Sequence, residues 1–588
     1  MIFTRRALTV SLGLAGLLTA ACSSDKTTAP AAPFPILGLN ATAKGSSSVQ
    51  YSFTTVAGDN SYRVERAEGS AGAFAADTTI TAPLTASAIT ITRSGLKVNT
   101  VYRFRVTTTK GSLQSIPSSE ASVTTLAPGN AAADITGDIT ANRTLFADTV
   151  YTLKGFIHVA NAATLTIQPG TRIQGDFNTV GSSLWILRGA KLQAVGTAEL
   201  PIVFTSSRPA GQRQPGDWGG LLMIGNALDN RSGNVTIEGS GVDGTTVVSG
   251  KNYFVTYNGG TVPTDNSGTL TYVRVEFAGY ATLIDQEFNS FTMAAIGSGT
   301  RMSFVEALAG LDDSFEFFGG GFDFRNAVAY ETADDMYDMS ESWSGTMQFL
   351  IGYNSVQLVP RTGAGFYSVD IQGIENDGCN GTGCDLGFNS TPFTIPLVAN
   401  YTLIGCGSTD CSGTGGGYGM MLRRGTGGYY VNGVLARWAR GGVSLRDSLT
   451  FVRAGLAAIP NTETADLIVR NNYFAETPQV FQAANAPGAA VQQNAFDLAG
   501  NALTLAPTAT TTASLFTLLP ATGTPPTGVA SFDFSPATGS PIATGGLATF
   551  TGKIATKGGT LITGTAYMGA AAPGGTKWWQ GWTSYARN

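Results

Sequence analysis

The chain has 588 residues, of which 75 are glycine and only 13% are charged, a composition that favours many short strands joined by tight turns over long helices. The net charge of −5 and the absence of a basic run argue against nucleic acid as a partner. The single histidine, His158, argues against most zinc sites and against a Ser-His-Asp triad.

Residues 1–21 have the pattern of an export signal. Two arginines precede an apolar stretch that is too short and too rich in glycine to form a stable transmembrane helix. The sequence L-T-A-A-C (18–22) resembles a bacterial lipobox, which implies that Cys22 is lipidated and becomes the mature N-terminus. An ordinary cleaved signal with an incidental cysteine is the alternative. We therefore expect an exported, lipid-anchored protein, and Ser23 after the cysteine favours the outer membrane and the cell surface.

Residues 22–35 are small, polar and rich in proline, which is typical of a flexible tether. Residues 36–127 form short alternating runs separated by turn residues, as in a β-sandwich. The segment L-K-V-N-T-V-Y-R-F-R-V (96–106) resembles the tyrosine-corner region of fibronectin type III domains. In that resemblance Tyr102 is the corner tyrosine, and Tyr51 stands where these domains usually have a core tryptophan. The resemblance implies a spacer or binding module, to which we assign no chemistry.

From 133 to 588 the pattern changes to short strands that end in Gly, Asn or Asp. The runs A-T-L-T-I-Q-P-G-T-R-I (163–173) and L-W-I-L-R-G-A-K-L (184–192) align with Ile167 on Ile186 and Gly170 on Gly189. Gly and Asn supply the positive φ that the corners of a coil require, and stacked coils place aliphatic residues in register. We therefore predict an all-β chain in which this region is a parallel β-helix with a C-terminal cap.

Several motifs of this region occur in a recognisable order. They include L-T-I-Q-P-G-T (165–171), G-D-W-G-G (216–220), D-N-S-G-T-L-T-Y-V-R-V-E-F-A-G (265–279), D-D-S-F-E-F-F-G-G (312–320), D-D-M-Y-D (334–338) and W-W-Q-G-W-T (578–583). In these motifs the chain resembles a large family of exported bacterial β-helix proteins. The resemblance implies a right-handed parallel β-helix on the cell exterior, and it brings no settled biochemical activity with it.

Two acidic doublets, Asp312-Asp313 and Asp334-Asp335, lie 22 residues apart in similar surroundings. A spacing in the low twenties corresponds to one coil of a solenoid, so we expect the doublets to stack. Stacked carboxylates repel unless a cation or hydrogen-bond donors lie between them, and Ca²⁺ takes carboxylate oxygens. Paired carboxylates for glycoside hydrolysis and simple capping of turns are the alternatives. The candidate Ca²⁺ ligands are Asp312, Asp313, Glu316, Asp334, Asp335 and Asp338, with Glu375 and Asp377 further along the chain.

Aromatic residues and two arginines provide candidate ligand-binding residues. Exposed rings stack on sugars, which makes Trp343 a candidate, although we expect most of the neighbouring aromatics to be buried in the solenoid. Arg423 and Arg424 are candidates because β-helix lyases use a basic residue with Ca²⁺ beside a uronate. Since neighbouring strand residues point to opposite faces, we expect at most one of them to face a groove, and a surface salt bridge is the alternative role.

The remaining cysteines form two matched loops, C-N-G-T-G-C (379–384) and C-G-S-T-D-C (406–411). An exported protein permits disulfides, so we expect two bonds among the four cysteines, with local pairing slightly preferred over pairing between coils. A zinc site is the alternative. The four residues are Cys379, Cys384, Cys406 and Cys411. The lone His158 is expected to be structural.

These features predict a surface-anchored lipoprotein whose β-helix binds polysaccharide or another extracellular polymer without catalysis. A Ca²⁺-dependent polysaccharide lyase or a glycoside hydrolase on the β-helix face is the alternative function. The predicted partners are the membrane, through the N-terminal lipid, and a surface polymer. Ca²⁺ is the only predicted cofactor.

Overall fold

The computed structural model describes most of the chain. The export signal, Cys22, most of the tether and Cys411 lie outside the described residues. The described residues are 32–56, 58, 61–81, 87–126, 131–239, 255–283, 286–360, 362–365, 368, 370–407, 416–455, 464–483 and 500–585.

The N-terminal strands form two sheets that fit the predicted β-sandwich. One sheet has three strands in the order β1-β2-β5, and the other has five, in the order β4-β3-β6-β7 with β8 beside β6. Pairing of β3 with β4 and with β6 is antiparallel. The strands are β1 (Asn40–Ala43), β2 (Val49–Thr54), β3 (Ser61–Glu68), β4 (Ala75–Thr81), β5 (Ala88–Arg93), β6 (Val101–Lys110), β7 (Leu113–Gln114) and β8 (Ala121–Thr124).

The chain divides into two compact units. One contains 51–91 and 102–122 together with the segment that ends at Ala41, and the other contains 42–50, 92–101 and 123–588.

The coils begin at β9, and two of their strands form the small hairpin β20–β21. The strands are, in chain order, β9 (Ala131–Ile135), β10 (Arg143–Leu145), β11 (Thr149–Leu153), β12 (Phe156–Val159), β13 (Thr164–Ile167), β14 (Arg172–Gly175), β15 (Ser183–Ile186), β16 (Lys191–Val195), β17 (Ile202–Ser206), β18 (Leu221–Ile224), β19 (Gly268–Glu276), β20 (Ala281–Leu283), β21 (Gln286–Glu287), β22 (Phe291–Ile296), β23 (Arg301–Leu308), β24 (Phe315–Gly320), β25 (Asp323–Tyr330), β26 (Tyr337–Ser340), β27 (Thr346–Tyr353), β28 (Ile374–Asp377), β29 (Leu397–Ile404), β30 (Tyr418–Arg423), β31 (Gly428–Val431), β32 (Val434–Ala436), β33 (Gly441–Leu445), β34 (Leu467–Arg470), β35 (Asn472–Ala475), β36 (Phe481–Ala483) and β37 (Leu503–Leu505). A second hairpin follows, of β38 (Phe516–Leu518) and β39 (Asp533–Pro536).

Helices are few and short in the described part of the chain. They are α1 (Ser448–Arg453), α2 (Thr512–Leu515) and α3 (Gly552–Gly558), and single 3-10 turns occur at Gly387–Asn389, Val529–Ser531 and Pro541–Ala543. None of the helices in the described ranges has the length and apolar character needed to cross a bilayer. The predicted all-β class is therefore confirmed.

Two long parallel sheets make up the coils. Among the described residues one has 17 strands, and the other has 10 strands in the order β12-β15-β18-β22-β24-β26-β28-β30-β33-β36. In the middle of the domain Glu316 on β24 pairs with Asp338 on β26, which is the next strand of the same sheet. Aliphatic and aromatic side chains from successive coils fill a continuous core that includes Phe291, Phe315 and Tyr337. This is the parallel β-helix that the repeats predicted.

The predicted stacking of Ile167 on Ile186 is wrong. Ile167 pairs with Ala194 in the 17-stranded sheet, whereas Ile186 pairs with Val159 in the 10-stranded sheet. The two runs resemble each other because each is an inward-facing strand that ends in a glycine turn. They lie on different sides of the coil, so their spacing is not the coil length.

One corner of the coils is built from residues in the left-handed backbone conformation. Asparagine tolerates positive φ better than most residues, which explains its recurrence there. The residues with positive φ at this corner are Tyr272, Phe304, Asn326, Phe349, Asn400, Asn432 and Asn471.

The C-terminal segment, predicted as a cap, runs back along this corner. The side chain of Asn432 accepts a hydrogen bond of 2.6 Å from the N–H of Leu547. Asn400 donates one of 3.1 Å to the carbonyl of Gly569, and Arg274 donates one of 3.0 Å to the carbonyl of Trp582. Side chains at and near this corner thus form hydrogen bonds with backbone groups of the C-terminal segment, which has few strands of its own.

Candidate functional site

An acidic row crosses the outer face of the ten-stranded sheet. Glu316 on β24 pairs with Asp338 on β26, which pairs with Glu375 on β28. Side chains alternate along a strand, and the next residues, Phe317 and Met339, lie in the core. The three carboxyl groups therefore point away from the core on one line, about 4.8 Å apart from strand to strand.

The two acidic doublets stack one coil apart, as their spacing predicted. The N–H of Asp335 donates a hydrogen bond of 2.7 Å to Oδ1 of Asp313. Oδ1 of Asp335 in turn accepts a hydrogen bond of 2.7 Å from the N–H of Gln372. Each of these carboxylates thus caps the turn of the next coil, which was an alternative role for them.

In the described part of the chain, nine carboxyl groups converge here in overlapping groups of three. Within each group the carboxylate oxygens lie within 4.8 Å of one another. The groups are Glu238–Glu287–Asp312, Asp312–Asp313–Asp334, Asp313–Glu316–Asp338 and Asp335–Asp338–Glu375. We call these nine residues the acidic cluster. All six predicted Ca²⁺ ligands belong to it, and such a set of hard oxygen donors suits Ca²⁺.

Sequence reasoning missed two members of the acidic cluster. Glu287 lies on the hairpin strand β21, and Glu238 lies in the long excursion between β18 and β19. Neither residue recurs at the coil spacing, so the repeat gave no signal for them. The excursion is held in place by the buried carboxylate of Glu341, which accepts hydrogen bonds from Arg231 and from the hydroxyl of Tyr257.

Burial is the largest cause of a raised pKa at seven carboxyl groups of the cluster, which are Asp312, Asp313, Glu316, Asp334, Asp335, Asp338 and Glu375. For Asp338 burial is the largest cause and the charge of Glu375 is the next. For Asp313 burial comes first and the charge of Asp335 second. Burial raises the pKa of Asp334 to about 7 and that of Glu375 to about 8. The cluster therefore holds protons near neutral pH unless a cation replaces them.

The polar contacts around Glu316 and Asp338 differ. Glu316 accepts a hydrogen bond from the amide of Asn289, whose own oxygen accepts one of 3.1 Å from the N–H of Asp313. Oδ1 of Asp338 is buried and has no hydrogen-bond partner among the described residues. A buried carboxylate oxygen without a partner is costly, so this atom marks the place where a bound ion would contribute most.

Arg423 and Arg424 both reach the carboxylate of Asp377, contrary to the expectation from strand alternation. Nε of Arg423 lies 2.9 Å from Oδ1 of Asp377, and Arg424 contacts Oδ2. Arg424 follows the last residue of β30 with a φ of 60°, so the alternation of a strand does not apply to it. Arg423 also pairs with Glu375. Burial lowers the pKa of Arg423, but the attraction of Asp377 and Glu375 outweighs it, so the pKa lies above its ordinary value.

Trp343 does not face a ligand site, which corrects its candidacy. Its side chain is fully buried, with its ring 4.5 Å from that of Phe317 and 5.0 Å from that of Phe322. Phe315 and Tyr337 stack in the same core at 5.3 Å. Phe315, Phe317 and Tyr337 are rungs of the solenoid because each lies at an inward position of its strand, whereas Trp343 packs into the same core from the turn between β26 and β27.

Cys379 and Cys384 form a local disulfide. Cys406 is also disulfide-bonded, and Cys411 lies outside the described residues. The 379–384 loop packs on the excursion through a hydrogen bond of 2.8 Å from the N–H of Ser232 to the carbonyl of Gly383.

His158 lies on β12, in the same register as Glu316 but four strands away along the ten-stranded sheet. Its Nδ1 lies 2.9 Å from Oδ1 of Asp138, and its ring packs against Trp185. These contacts fit the structural role expected for it.

Comparison with known proteins places the fold in a family. No curated protein matches the chain. Among solved structures, the crystal structure of the tailspike protein gp49 from Pseudomonas phage LKA1 is similar at 10% sequence identity and a TM-score of 0.15. That match covers 77% of this chain and 64% of the tailspike chain. The profile of the family described as pectate-lyase-like β-helix domain matches residues 137–511, which contain the whole acidic cluster. The chain therefore belongs to the pectate-lyase-like β-helix family.

Proposed function

We propose that the acidic cluster binds a divalent cation, with Ca²⁺ as the candidate, and that the cation holds an acidic polysaccharide on the outer face of the ten-stranded sheet. The observation that carries this proposal is the convergence of nine carboxyl groups, from successive coils, the hairpin and the excursion, in overlapping groups of three whose oxygens lie within 4.8 Å of one another. Ca²⁺ takes six to eight oxygen ligands from flexible arrangements of carboxylates. Uronate carboxylates of a polymer would supply the oxygen ligands that the protein does not provide.

The balance of charge supports a bound cation. Arg423 and Arg424 are the cations that pair at this edge of the cluster, and both are committed to Asp377, with Arg423 also contacting Glu375. Within the described ranges, neither Asp335 nor Asp338 has a lysine or arginine at ion-pair distance. A cation that lies beside these two carboxylates and Glu375 would offset their repulsion and satisfy the open oxygen of Asp338.

Binding without cleavage is the leading function because the arginines are poor candidates for a general base. A lyase needs a basic group that gives up its proton beside a uronate. The ion pairs raise the pKa of Arg423, after burial has lowered it, so this side chain keeps its proton. It is better suited to hold Glu375 and Asp377 in position.

Glycoside hydrolysis is the second candidate function. Two carboxyls flank a scissile bond in such enzymes, one of them protonated near neutral pH. Burial raises the pKa of Asp334 to about 7 and that of Glu375 to about 8, which would keep either one partly protonated at neutral pH. This observation favours a hydrolase over a lyase as the enzymatic alternative.

The location is part of the same proposal. Lipidation of Cys22 would anchor the chain at the outer membrane, and the N-terminal β-sandwich of 36–127 would act as a fibronectin type III-like spacer. The lipobox-like L-T-A-A-C and the antiparallel sheets support this arrangement. The β-helix would then present its acidic face to polymers outside the cell.

A panel of immobilised acidic and neutral glycans tests the function. The purified ectodomain should be retained on the acidic glycans in Ca²⁺ and released by chelator, and the soluble products should show no new ends. New reducing ends without an unsaturated sugar would establish the hydrolase instead. Retention that changes neither with Ca²⁺ nor with chelator would contradict a role of the cation in binding the glycan.

A further inference from the structure

A cavity lies where β24 and β26 end and the chain turns toward the 17-stranded sheet. Its volume is about 230 Å³, and its lining includes Arg301, Asp323, Ser344 and Lys557. Lys557 comes from α3 in the C-terminal segment, and the other three come from the coils. Two cationic side chains therefore meet over one small space.

Neither cation has an acidic partner among the described residues. Arg301 donates hydrogen bonds to the backbone carbonyls of Ser298 and Thr300, at 2.9 and 3.2 Å. Lys557 donates to the carbonyl of Ser344.

Asp323 supplies the carboxylate among the described residues that line this cavity, and both of its oxygens already have partners. Oδ2 of Asp323 lies 2.7 Å from Nε of Arg325, and Oδ1 accepts a hydrogen bond of 3.0 Å from Thr346. The cavity thus keeps an excess of positive charge.

Burial is the cause of a lowered pKa at Lys557. It lowers the pKa of the ammonium group to about 8, and no neighbouring carboxylate raises it again. A half-buried ammonium that meets only carbonyl oxygen is incompletely compensated. An anion in the cavity would offset this cost and raise the pKa of Lys557.

A second cavity adjoins the first and shares Gly321 and Ser344 with it. Its volume is about 210 Å³, and apolar groups of Leu228, Pro263 and Pro392 line it. An acidic group in the first cavity would therefore bring the rest of its sugar ring, which has apolar C–H faces, against these side chains. The combination of an anion site and an apolar wall is characteristic of small polar ligands with a ring.

We propose that these two cavities form a subsite for one acidic sugar unit, whose carboxylate is bound by Arg301 and Lys557. This site is distinct from the acidic cluster and needs no Ca²⁺. The choice of a uronate as the bearer of the anion rests on the proposed function, whereas the anion site itself does not. Glu316 and Gly320 belong to the same strand, about 13 Å apart, so a polymer held at the cluster has only a short distance to this subsite.

Competitive acylation of lysines tests the site in the full chain. Trigalacturonate, in the presence of chelator, should slow acylation of Lys557 by an amine-reactive ester, as measured by mass spectrometry of its peptide. Lys553 is the matched control, because it lies one turn earlier on α3 and pairs with Asp466. The methyl ester of the same trisaccharide should protect neither lysine. Equal protection by acid and ester, or no protection of Lys557, would overturn the proposal.

A pair of variants separates this proposal from the cation site. In chelator, Lys557→Met should weaken trigalacturonate binding roughly tenfold, the factor that corresponds to about 1.4 kcal/mol, while Lys553→Met leaves it unchanged. Calorimetry supplies the affinities, and thermal unfolding checks that both variants fold. Loss of all binding in chelator would refute the subsite and leave the cation site standing. Binding that depends on Lys557 and does not strengthen when Ca²⁺ is added would support the subsite and contradict a role of the cation in holding the glycan.

Discussion

The stability of the chain without cations should fall as the pH rises from 5 to 8. Burial raises the pKa of Asp334 to about 7 and that of Glu375 to about 8, against 3.8 and 4.5 for the unperturbed groups. A carboxyl with a raised pKa binds its proton in the folded state while the unfolded chain is already ionised. Its cost is therefore absent below the unfolded pKa and grows until the pH passes the folded pKa.

The size of the effect follows from the two shifts. Each pH unit within the window changes the free energy of unfolding by about 1.36 kcal/mol for one group, so one carboxyl that titrates over about three units costs about 4 kcal/mol. The unfolding entropy of a domain of roughly 450 residues is about 1 kcal/mol per kelvin. We therefore expect the Tm to fall by about 4 °C between pH 5 and pH 8 in chelator, and by more if both groups titrate.

Added Ca²⁺ should reverse this trend, because it competes with the protons. A ligand at about 100 times its Kd adds about 2.7 kcal/mol, and the gain should be larger at pH 8 than at pH 5. Differential scanning fluorimetry of the wild type and of Asp334→Asn with Glu375→Gln makes the comparison. The double variant should lose the part of the pH slope that these two groups contribute, so its Tm should fall less than the wild-type Tm between pH 5 and pH 8. A wild-type Tm that is constant or rises from pH 5 to 8 in chelator would show that the folded chain does not hold these protons more tightly than the unfolded chain.

Three further predictions concern the anchor, the disulfide and the corner. Cys22→Ser should move the chain from the membrane to the soluble fraction, and an unmodified mature peptide that begins elsewhere in the wild type would contradict lipidation. Reduction of the Cys379–Cys384 bond should cost only about 2 kcal/mol because the loop is short, so a collapse of the whole solenoid in a melting curve would be unexpected. Asn432→Gly keeps the positive φ but loses the bond to Leu547, and should cost about 1–3 kcal/mol in denaturant unfolding. Asn432→Ala should cost about 1–2 kcal/mol more, because alanine also strains the left-handed backbone, and equal values would argue against that strain.

The fold was predictable because its signals are local and repeated. The spacing of the acidic doublets gave the coil length in the middle of the domain, and the stacking of Asp313 and Asp335 follows from it. The apparent alignment of Ile167 with Ile186 gave a wrong stacking, because two sides of one coil carry the same pattern of an inward aliphatic residue and a glycine turn. Periodicity identifies strands well, but it does not say which sheet each strand joins.

The site was only partly predictable, because some of its residues come from segments that do not repeat. Glu238 and Glu287 come from an excursion and a hairpin, and such contacts depend on how inserted segments dock rather than on any repeat. The burial of Trp343 was ambiguous because an aromatic in a turn between two strands has the same sequence signature whether it faces sugar or core. The meeting of Lys557 with Arg301 joins segments that lie far apart in the sequence, which no local pattern records.

Direct titration of Ca²⁺ into the chelator-treated chain tests the central claim, that the acidic cluster holds a divalent cation. We expect saturable binding that Asp338→Asn abolishes or strongly weakens, since this carboxylate belongs to two of the overlapping groups. Asp466→Asn, which removes a carboxylate paired with Lys553 outside the cluster, should bind as the wild type does. Heats no larger than those of dilution, or binding that is unchanged in Asp338→Asn, would show that the acidic cluster does not hold the cation.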